Sequence, residues 1–195
     1  MARPPSFNRA LAVDDALKLF WRRGYVATSL PELLDAMGVA RSSFYATFSS
    51  KRELFSECLE LFGSRTLTIL DKPGGSCENL SVIRTFFNET ISEVPEHRIS
   101  RGCMMVNTVL ELADVDLELQ ILAQTKLDKI QERFQCLILD AQLAGEITGA
   151  HCPAELADAL MTLNLGIRVQ CRKQVERTQL VKSVDTSLRL LGIAA

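Results

Sequence analysis

The stretch GVARSSFYATFSSKREL, residues 38–54, combines a glycine, small hydroxyl side chains, aromatic rings and cations in one short window. Phe44 and Phe48 lie four residues apart, the spacing of one helix face, so they predict the buried stripe of a short helix. Val39 and Phe44 have the spacing of a hydrophobic staple around the cap of that helix. Gly38 permits the tight left-handed turn that such a junction needs. The stretch therefore predicts a short helix with one aromatic, buried face and one small, polar face.

The residues before this stretch predict two further helices. Ser29 and Glu32 have the spacing of a capping box, which predicts a helix over about 30–37. Apolar residues at three- and four-residue steps predict an earlier helix over roughly 8–23, and Gly24 is a typical stop signal for it.

Helical periodicity continues along the rest of the chain, and no strand-like alternation of any length interrupts it. The remaining predicted helices span about 51–70, 79–94, 101–113, 115–144, 153–172 and 175–192. The clearest break is the segment DKPGGSCEN, residues 71–79, because Pro and Gly together favour a loop. The sequence therefore predicts an all-α protein of about nine helices.

Composition excludes several classes of protein. The chain has 195 residues, 47% hydrophobic and 24% charged, as is usual for a globular protein. The sequence has no stretch of about 18 uninterrupted apolar residues, so it predicts no membrane span. The N-terminal residues lack the apolar region of a secretory signal. We therefore expect a cytoplasmic protein without a membrane partner.

The cysteines are scattered at positions 58, 77, 103, 136, 152 and 171, without any C-x-x-C pair. With a cytosolic location, we do not expect these cysteines to form a disulfide framework. The neighbouring His151 and Cys152 have no spaced partner pair to complete a zinc site. We expect neither a metal nor a cofactor.

Charge and helix order together indicate a nucleic-acid interface. Residues 1–52 carry eight Lys or Arg and four Asp or Glu, whereas residues 53–195 carry 14 and 20. A basic head on an acidic body favours a polyanion as the partner of the head alone. Two short capped helices joined by a glycine turn are typical of a helix-turn-helix, whose second helix enters the major groove. The candidate DNA-binding residues, which share the polar face or a neighbouring helix N-terminus, are Ser29, Arg41, Ser42, Ser43, Tyr45, Thr47 and Lys51.

The sequence LKLFWRRGYVATSLPELLDAMGVARSSFYATFSSKRELFSECLE, residues 17–60, resembles the DNA-binding domain of the TetR/AcrR family of bacterial transcriptional regulators. The most specific part is the run G-V-x-R-x-x-F-Y-x-x-F-x-S-K-x-x-L. The chain departs from the family pattern at Ala40, where Ser or Thr often caps the helix, and at Thr47, where His is usual. The resemblance implies a helix-turn-helix domain at 1–52 and an effector-binding and dimerisation domain at 53–195.

The resemblance also implies a homodimeric repressor that a small-molecule effector releases from an operator, which is expected to be an inverted repeat in double-stranded DNA. Dimer contacts are expected on the apolar stripes of the last two helices, although these stripes equally fit the core of a single chain. The stripe residues are Leu156, Leu160, Leu163, Ile167, Leu180, Val184, Leu188 and Leu191. Candidate effector contacts, either apolar or able to hydrogen-bond, are Phe62, Phe86, Met104, Asn107, Glu111 and Phe134.

Cys103 is a candidate sensor thiol, which makes an oxidant- or electrophile-sensing regulator of the same fold an alternative. Its expected place in a first helical turn beside Arg101 favours the thiolate, whereas free cysteines are usually small buried residues. Some family members with cysteine in a similar setting respond to oxidants or electrophiles. Enzymatic activity is not expected, because His97 and His151 lie far from Cys103 in sequence and no catalytic motif occurs. A helical adaptor that does not bind DNA is the remaining alternative.

Overall fold

A computed structural model of the protein describes residues 7–71 and 79–193, and these residues form helices and turns without any strand. The helices are α1 (Arg9–Arg23), α2 (Leu30–Met37), α3 (Arg41–Phe48), α4 (Lys51–Leu70), α5 (Asn79–Phe87), α6 (Glu96–Ile99), α7 (Met104–Leu112), α8 (Leu117–Leu143), α9 (Pro153–Arg172) and α10 (Arg177–Leu190). A π-helical turn, Asn88–Ser92, continues α5, and α6 is a single turn. Within the described ranges, nine helices of two or more turns confirm the predicted all-α class.

The described residues divide into two compact units. The first unit lies within Met1–Ser64 and Cys103–Thr125, and the second within Arg65–Gly102 and Lys126–Ala195. This structural division differs from the predicted functional boundary after residue 52, because α7 and the start of α8 pack with the N-terminal helices.

The core of the first unit contains aromatic pairs among its aliphatic side chains. The Phe20 ring meets Phe55 edge-on, with ring centroids 4.8 Å apart, and Trp21 meets Phe62 at 5.1 Å. These edge-to-face pairs join α1 to α4 and add to the hydrophobic gain from burial. The Cys58 thiol lies in the same core and donates to the Val13 carbonyl at 3.7 Å.

The second unit has its own aromatic cluster. The Phe86 ring meets Phe87 and Phe134 nearly perpendicularly, at centroid distances of 5.4 and 5.2 Å. The start of α5 is capped from the α8–α9 loop by Glu146, whose carboxylate accepts from the amide of Asn79 at 3.0 Å. Glu146 therefore occupies a helix N-terminus, where negative charge is favourable.

Two arginines satisfy the carbonyl groups at the other end of the α5 segment. The Arg168 Nη1 atom donates to the Thr90 carbonyl at 3.0 Å, and Arg177 donates to the Ser92 and Val94 carbonyls at 2.8 and 2.7 Å. Positive charge at a helix C-terminus complements the exposed carbonyl dipoles. The buried Arg168 guanidinium is thus explained by the helix end that it caps.

The stripes of α9 and α10 that were expected to form a dimer interface lie mostly inside the chain. Six of the eight side chains are buried within a single copy: Leu156, Leu160, Ile167, Leu180, Val184 and Leu188. Leu163 and Leu191 are half-buried. Burial within a single copy fits the core alternative for these six residues, and their contact with a second copy stays a prediction. None of the described helices is long and apolar enough to cross a membrane.

Candidate nucleic-acid interface

The capping box predicted at the start of α2 is confirmed. The Ser29 Oγ atom accepts from the amide of Glu32 at 3.4 Å, and the Glu32 carboxylate accepts from the amide of Ser29 at 2.9 Å. Gly38 ends α2 with φ at +63°, and the amide of Val39 donates to the Leu34 carbonyl at 3.0 Å. The left-handed glycine turns the chain directly into the next helix.

The predicted short helix, α3, is confirmed with its aromatic face inward. Phe44 and Phe48 are buried, as is Val39 just before the helix. Ala40 stands at the N-cap position in extended conformation, and its side chain makes no capping hydrogen bond. Apolar packing rather than a capping hydroxyl therefore holds the start of α3.

The end of α3 is a second backbone constraint. Ser49 has φ at +56°, a conformation that residues other than glycine adopt rarely, and the amide of Ser50 donates to the Phe48 carbonyl. The Ser50 hydroxyl then accepts from the amide of Glu53 at 3.0 Å and so caps α4. Left-handed residues thus bound α3 on both sides.

The polar face of α3 carries most of the predicted DNA-binding residues. Arg41, Ser42 and Tyr45 are exposed, whereas Ser43 and Thr47 are half-buried. The Tyr45 side chain is 49% exposed, and its ring meets Phe44 edge-on at 5.4 Å. Tyr45 is therefore held against the buried stripe by its ring while about half of its surface stays exposed.

Ser29 has a structural role beside the predicted DNA contact. Its amide and its hydroxyl both donate to the Glu32 carboxylate, at 2.9 and 2.8 Å. These two bonds lower the pKa of Glu32. Ser29 is therefore the N-cap of α2, and its contact with DNA stays a prediction.

Lys51, in the first turn of α4, lies against an aromatic ring. Its Nζ atom is 4.4 Å from the ring centroid of Tyr25, within the range of a cation–π interaction. Burial lowers the pKa of Lys51, and the charge of Glu111 opposes that shift. The half-buried ammonium is therefore held at the edge of the α3 face.

Glu111 was expected to contact an effector, and the structure assigns its carboxylate elsewhere. It accepts from the amide of Tyr25 at 3.0 Å and from the amide of Val26 at 2.8 Å. Because these partners are 86 and 85 positions away, no local pattern in the sequence indicates the contact. Glu111 thereby links α7 to the turn before α2, and its contact with an effector stays a prediction.

The other predicted effector contacts belong to different environments. In the first unit, Phe62 packs on Trp21, Met104 is buried and Asn107 is half-buried. In the second unit, Phe86 and Phe134 form the buried aromatic cluster. A cleft of about 380 Å³, which sequence patterns did not indicate, lies in the second unit between α6 and the α9–α10 junction. Its polar lining includes Glu96, His97, Gln174, Glu176 and Arg177.

Cys103 lies at the N-cap of α7 rather than in the first turn, because the helix begins at Met104 instead of near residue 101. It is only 5% exposed, which fits the alternative of a small buried residue. Burial raises the pKa of the Cys58 and Cys171 thiols. Across residues 7–71 and 79–193, no group of three or more potential ligands forms a metal site.

The two short helices, the glycine turn between them and the outward polar face of α3 define a helix-turn-helix protein that binds nucleic acid. Comparison with known proteins gives the family. Residues 12–58 match bacterial regulatory proteins of the tetR family, and residues 80–185, more than half of the chain, match the tetracyclin repressor-like C-terminal domain. The chain belongs to the TetR family of DNA-binding transcriptional regulators.

Individual relatives share the family role and the fold. The uncharacterized HTH-type transcriptional regulator YezE of Bacillus subtilis is 28% identical, over 98% of this chain and all of its own. The HTH-type transcriptional repressor ComR of Escherichia coli is 29% identical, over 96% of this chain and 90% of its own. A cysteine mutant of the regulator CifR, solved with 26-base-pair operator DNA, is 28% identical. It covers 96% of this chain and 98% of its own, with a TM-score of 0.81.

Proposed function

We propose that the protein is a homodimeric repressor that binds a duplex operator through the exposed face of α3 and the start of α4. The observation that carries this proposal is the division of α3, in which Phe44 and Phe48 are buried while Arg41, Ser42 and Tyr45 face outward. Arginine can donate hydrogen bonds to guanine edges and to phosphates, and hydroxyl groups can donate to phosphate oxygens.

The relatives support both the ligand and the direction of regulation. ComR is named a repressor, and CifR was solved on double-stranded operator DNA. A cytoplasmic location follows from this role. The functional boundary is proposed after residue 52, with effector binding and dimerisation assigned to 53–195.

The proposed dimer surface is the outer face of α9. Leu165 and Val169, four residues apart, are 36% and 47% exposed, and a Cβ on Gly166 would meet no atom of a neighbouring element within 4 Å. Exposed apolar residues around a glycine allow a second helix to approach closely. This face is proposed in addition to the predicted stripe residues.

Operator binding tests the proposal directly. DNA flanking the gene should contain an inverted repeat that the protein binds, with affinity falling steeply as salt rises. Arg41→Ala should weaken binding about tenfold, whereas Arg22→Ala, which removes an exposed arginine of α1, should change it less than about twofold. Equal binding by both variants would remove α3 from the interface, and failure to bind duplex DNA would favour the adaptor alternative.

A thiol-responsive form of the same function has one observation in its favour. CifR was solved with its cysteines replaced, in complex with operator DNA. In the present chain the candidate is Cys103, which needs an opening of the α7 start before a reagent can reach it. Operator release by an electrophile should then be lost in Cys103→Ser; equal release in both proteins would exclude Cys103 as the sensor.

A further inference from the structure

The turn between α1 and α2 is closed by its own bonds. The Thr28 hydroxyl donates to the Gly24 carbonyl at 2.6 Å, and Thr28 is fully buried. The next residue, Ser29, caps α2. Any displacement of this turn therefore moves the start of the first helix of the helix-turn-helix.

Glu111 of α7 binds the outer side of that turn. Its two carboxylate oxygens accept separately from the consecutive amides of Tyr25 and Val26. Gly24 has φ at +87°, and a Cβ there would lie 2.6 Å from both Glu111 oxygens. Backbone amides that converge on a carboxylate form an anion-binding concavity, and here an acid of the same chain fills it.

The contact between Glu111 and Tyr25 also influences the start of α4, which follows α3. The Tyr25 ring packs on Phe55 at a centroid distance of 4.8 Å, and the Lys51 ammonium lies over its face. The Glu111 charge also favours the charged form of Lys51. Glu111 thus contacts the turn before α2 directly, and through the Tyr25 ring it acts on Lys51, the first residue of α4.

We propose that Glu111 is a positioning residue for operator binding, which holds the Gly24–Thr28 turn and thereby keeps Tyr25 under Lys51 and Lys51 at the DNA backbone. The inference rests on the proposed contact between Lys51 and a DNA phosphate. Its distinctive consequence is that Glu111 and Lys51 act as one unit, although Glu111 itself carries the wrong charge to bind DNA.

The test is a double-variant cycle of operator binding as a function of salt, in the full-length protein. Glu111→Gln should weaken binding about tenfold and reduce the salt dependence by about one phosphate contact, as Lys51→Ala does. The double variant should bind within about twofold of Lys51→Ala, because coupled residues are not additive. Asp114→Asn, which removes one exposed acid of the same unit, is the control for lost charge and should bind like wild type.

Further outcomes separate this inference from the proposed function. Normal binding by Lys51→Ala would remove Lys51 from the DNA interface and so contradict that part of the proposed function. Weak binding by Lys51→Ala with normal binding by Glu111→Gln, or losses that multiply in the double variant, would overturn the positioning role alone. If Glu111→Gln does not fold, Glu111→Asp keeps the charge but is too short for both amides, and it should show the same coupling.

Discussion

Arg52 and Asp116, 64 residues apart in sequence, form a two-bonded ion pair at the start of α4. The Nε atom donates to Oδ2 at 2.7 Å and an Nη2 hydrogen to Oδ1 at 3.0 Å, while Nη2 also donates to Glu118 at 2.6 Å. Asp116 accepts in addition from the amide of Leu119, so it caps α8 with the same carboxylate. The pair joins the residue after Lys51 to the helix that follows α7.

Asp116→Asn should lower the free energy of unfolding by about 1–2 kcal/mol at neutral pH, since it weakens both a helix cap and a charge-assisted pair. The bond from Arg52 lowers the pKa of Asp116. The stabilisation is therefore complete above the ordinary carboxyl pKa of about 4 and is lost as the pH falls through the lower folded value. Urea unfolding at several pH values measures this, with the difference between wild type and variant shrinking in acid.

Glu118→Gln is the control for the Asp116 experiment. Glu118 shares Arg52 but its side chain is largely exposed, so the change should cost less than about 0.5 kcal/mol. If both substitutions lowered the free energy of unfolding equally, the helix cap and the two-bonded geometry of Asp116 would add no stabilisation of their own.

Tyr45→Phe should weaken operator binding about fivefold, because it removes a hydroxyl expected at a phosphate and keeps the ring on Phe44. Helix content and the thermal midpoint should not change. Tyr25→Phe makes the same chemical change at the only other tyrosine and keeps the ring under Lys51, so it should bind like wild type. The reverse order of effects, measured by fluorescence anisotropy with labelled operator, would contradict the assigned face.

Ala40→Ser should stabilise the free protein by about 0.5–1 kcal/mol, because it supplies the side-chain cap that α3 lacks. The backbone of Ala40 already has the extended conformation of a cap residue. Ala46→Ser, in the interior of the same helix, should instead destabilise slightly. Thermal unfolding of the two variants distinguishes a capping effect from a general effect of serine.

Val169→Glu should convert a dimer into a monomer in sedimentation experiments, because it places a charge in the proposed outer face of α9. Leu117→Glu makes a similar change at an exposed leucine of the first unit and should leave the dimer intact. A dimer that survives Val169→Glu would place the contact elsewhere.

Thiol labelling should divide the cysteines by burial. Cys136 and Cys152 are exposed, whereas Cys58, Cys103 and Cys171 are buried. A variant with serine at positions 77, 136 and 152 should therefore react slowly with a maleimide at neutral pH, and denaturation should release three thiols. Fast reaction of one thiol, mapped by mass spectrometry to Cys103, would support the sensor alternative.

Local signals predicted the helix-turn-helix well, because its features depend on neighbours in sequence. The Ser29 cap, the Gly38 turn and the Phe44–Phe48 stripe are each determined within about one helical turn. The prediction that Ala40 occupies the cap position of α3 without a capping group is also confirmed.

The features that sequence patterns missed depend on distant partners. Nothing near Glu111 in sequence indicates that its carboxylate binds the turn at Tyr25 and Val26. Periodicity predicts that the apolar stripe of α9 forms one helix face. It does not indicate whether the same chain or a second copy covers that face. Leu160 and Ile167 are buried within a single copy, which fits the core alternative.

The left-handed residues Gly38 and Ser49, which bound α3, also limit how much sequence one copy can distinguish. Eight helical residues extend about 12 Å, a length that corresponds to about four base pairs. Four base pairs recur roughly once in 250 positions of random DNA, since each pair is one of four. Because Gly38 and Ser49 turn the chain on either side of α3, a second copy bound at a fixed spacing would multiply the selectivity that one helix provides.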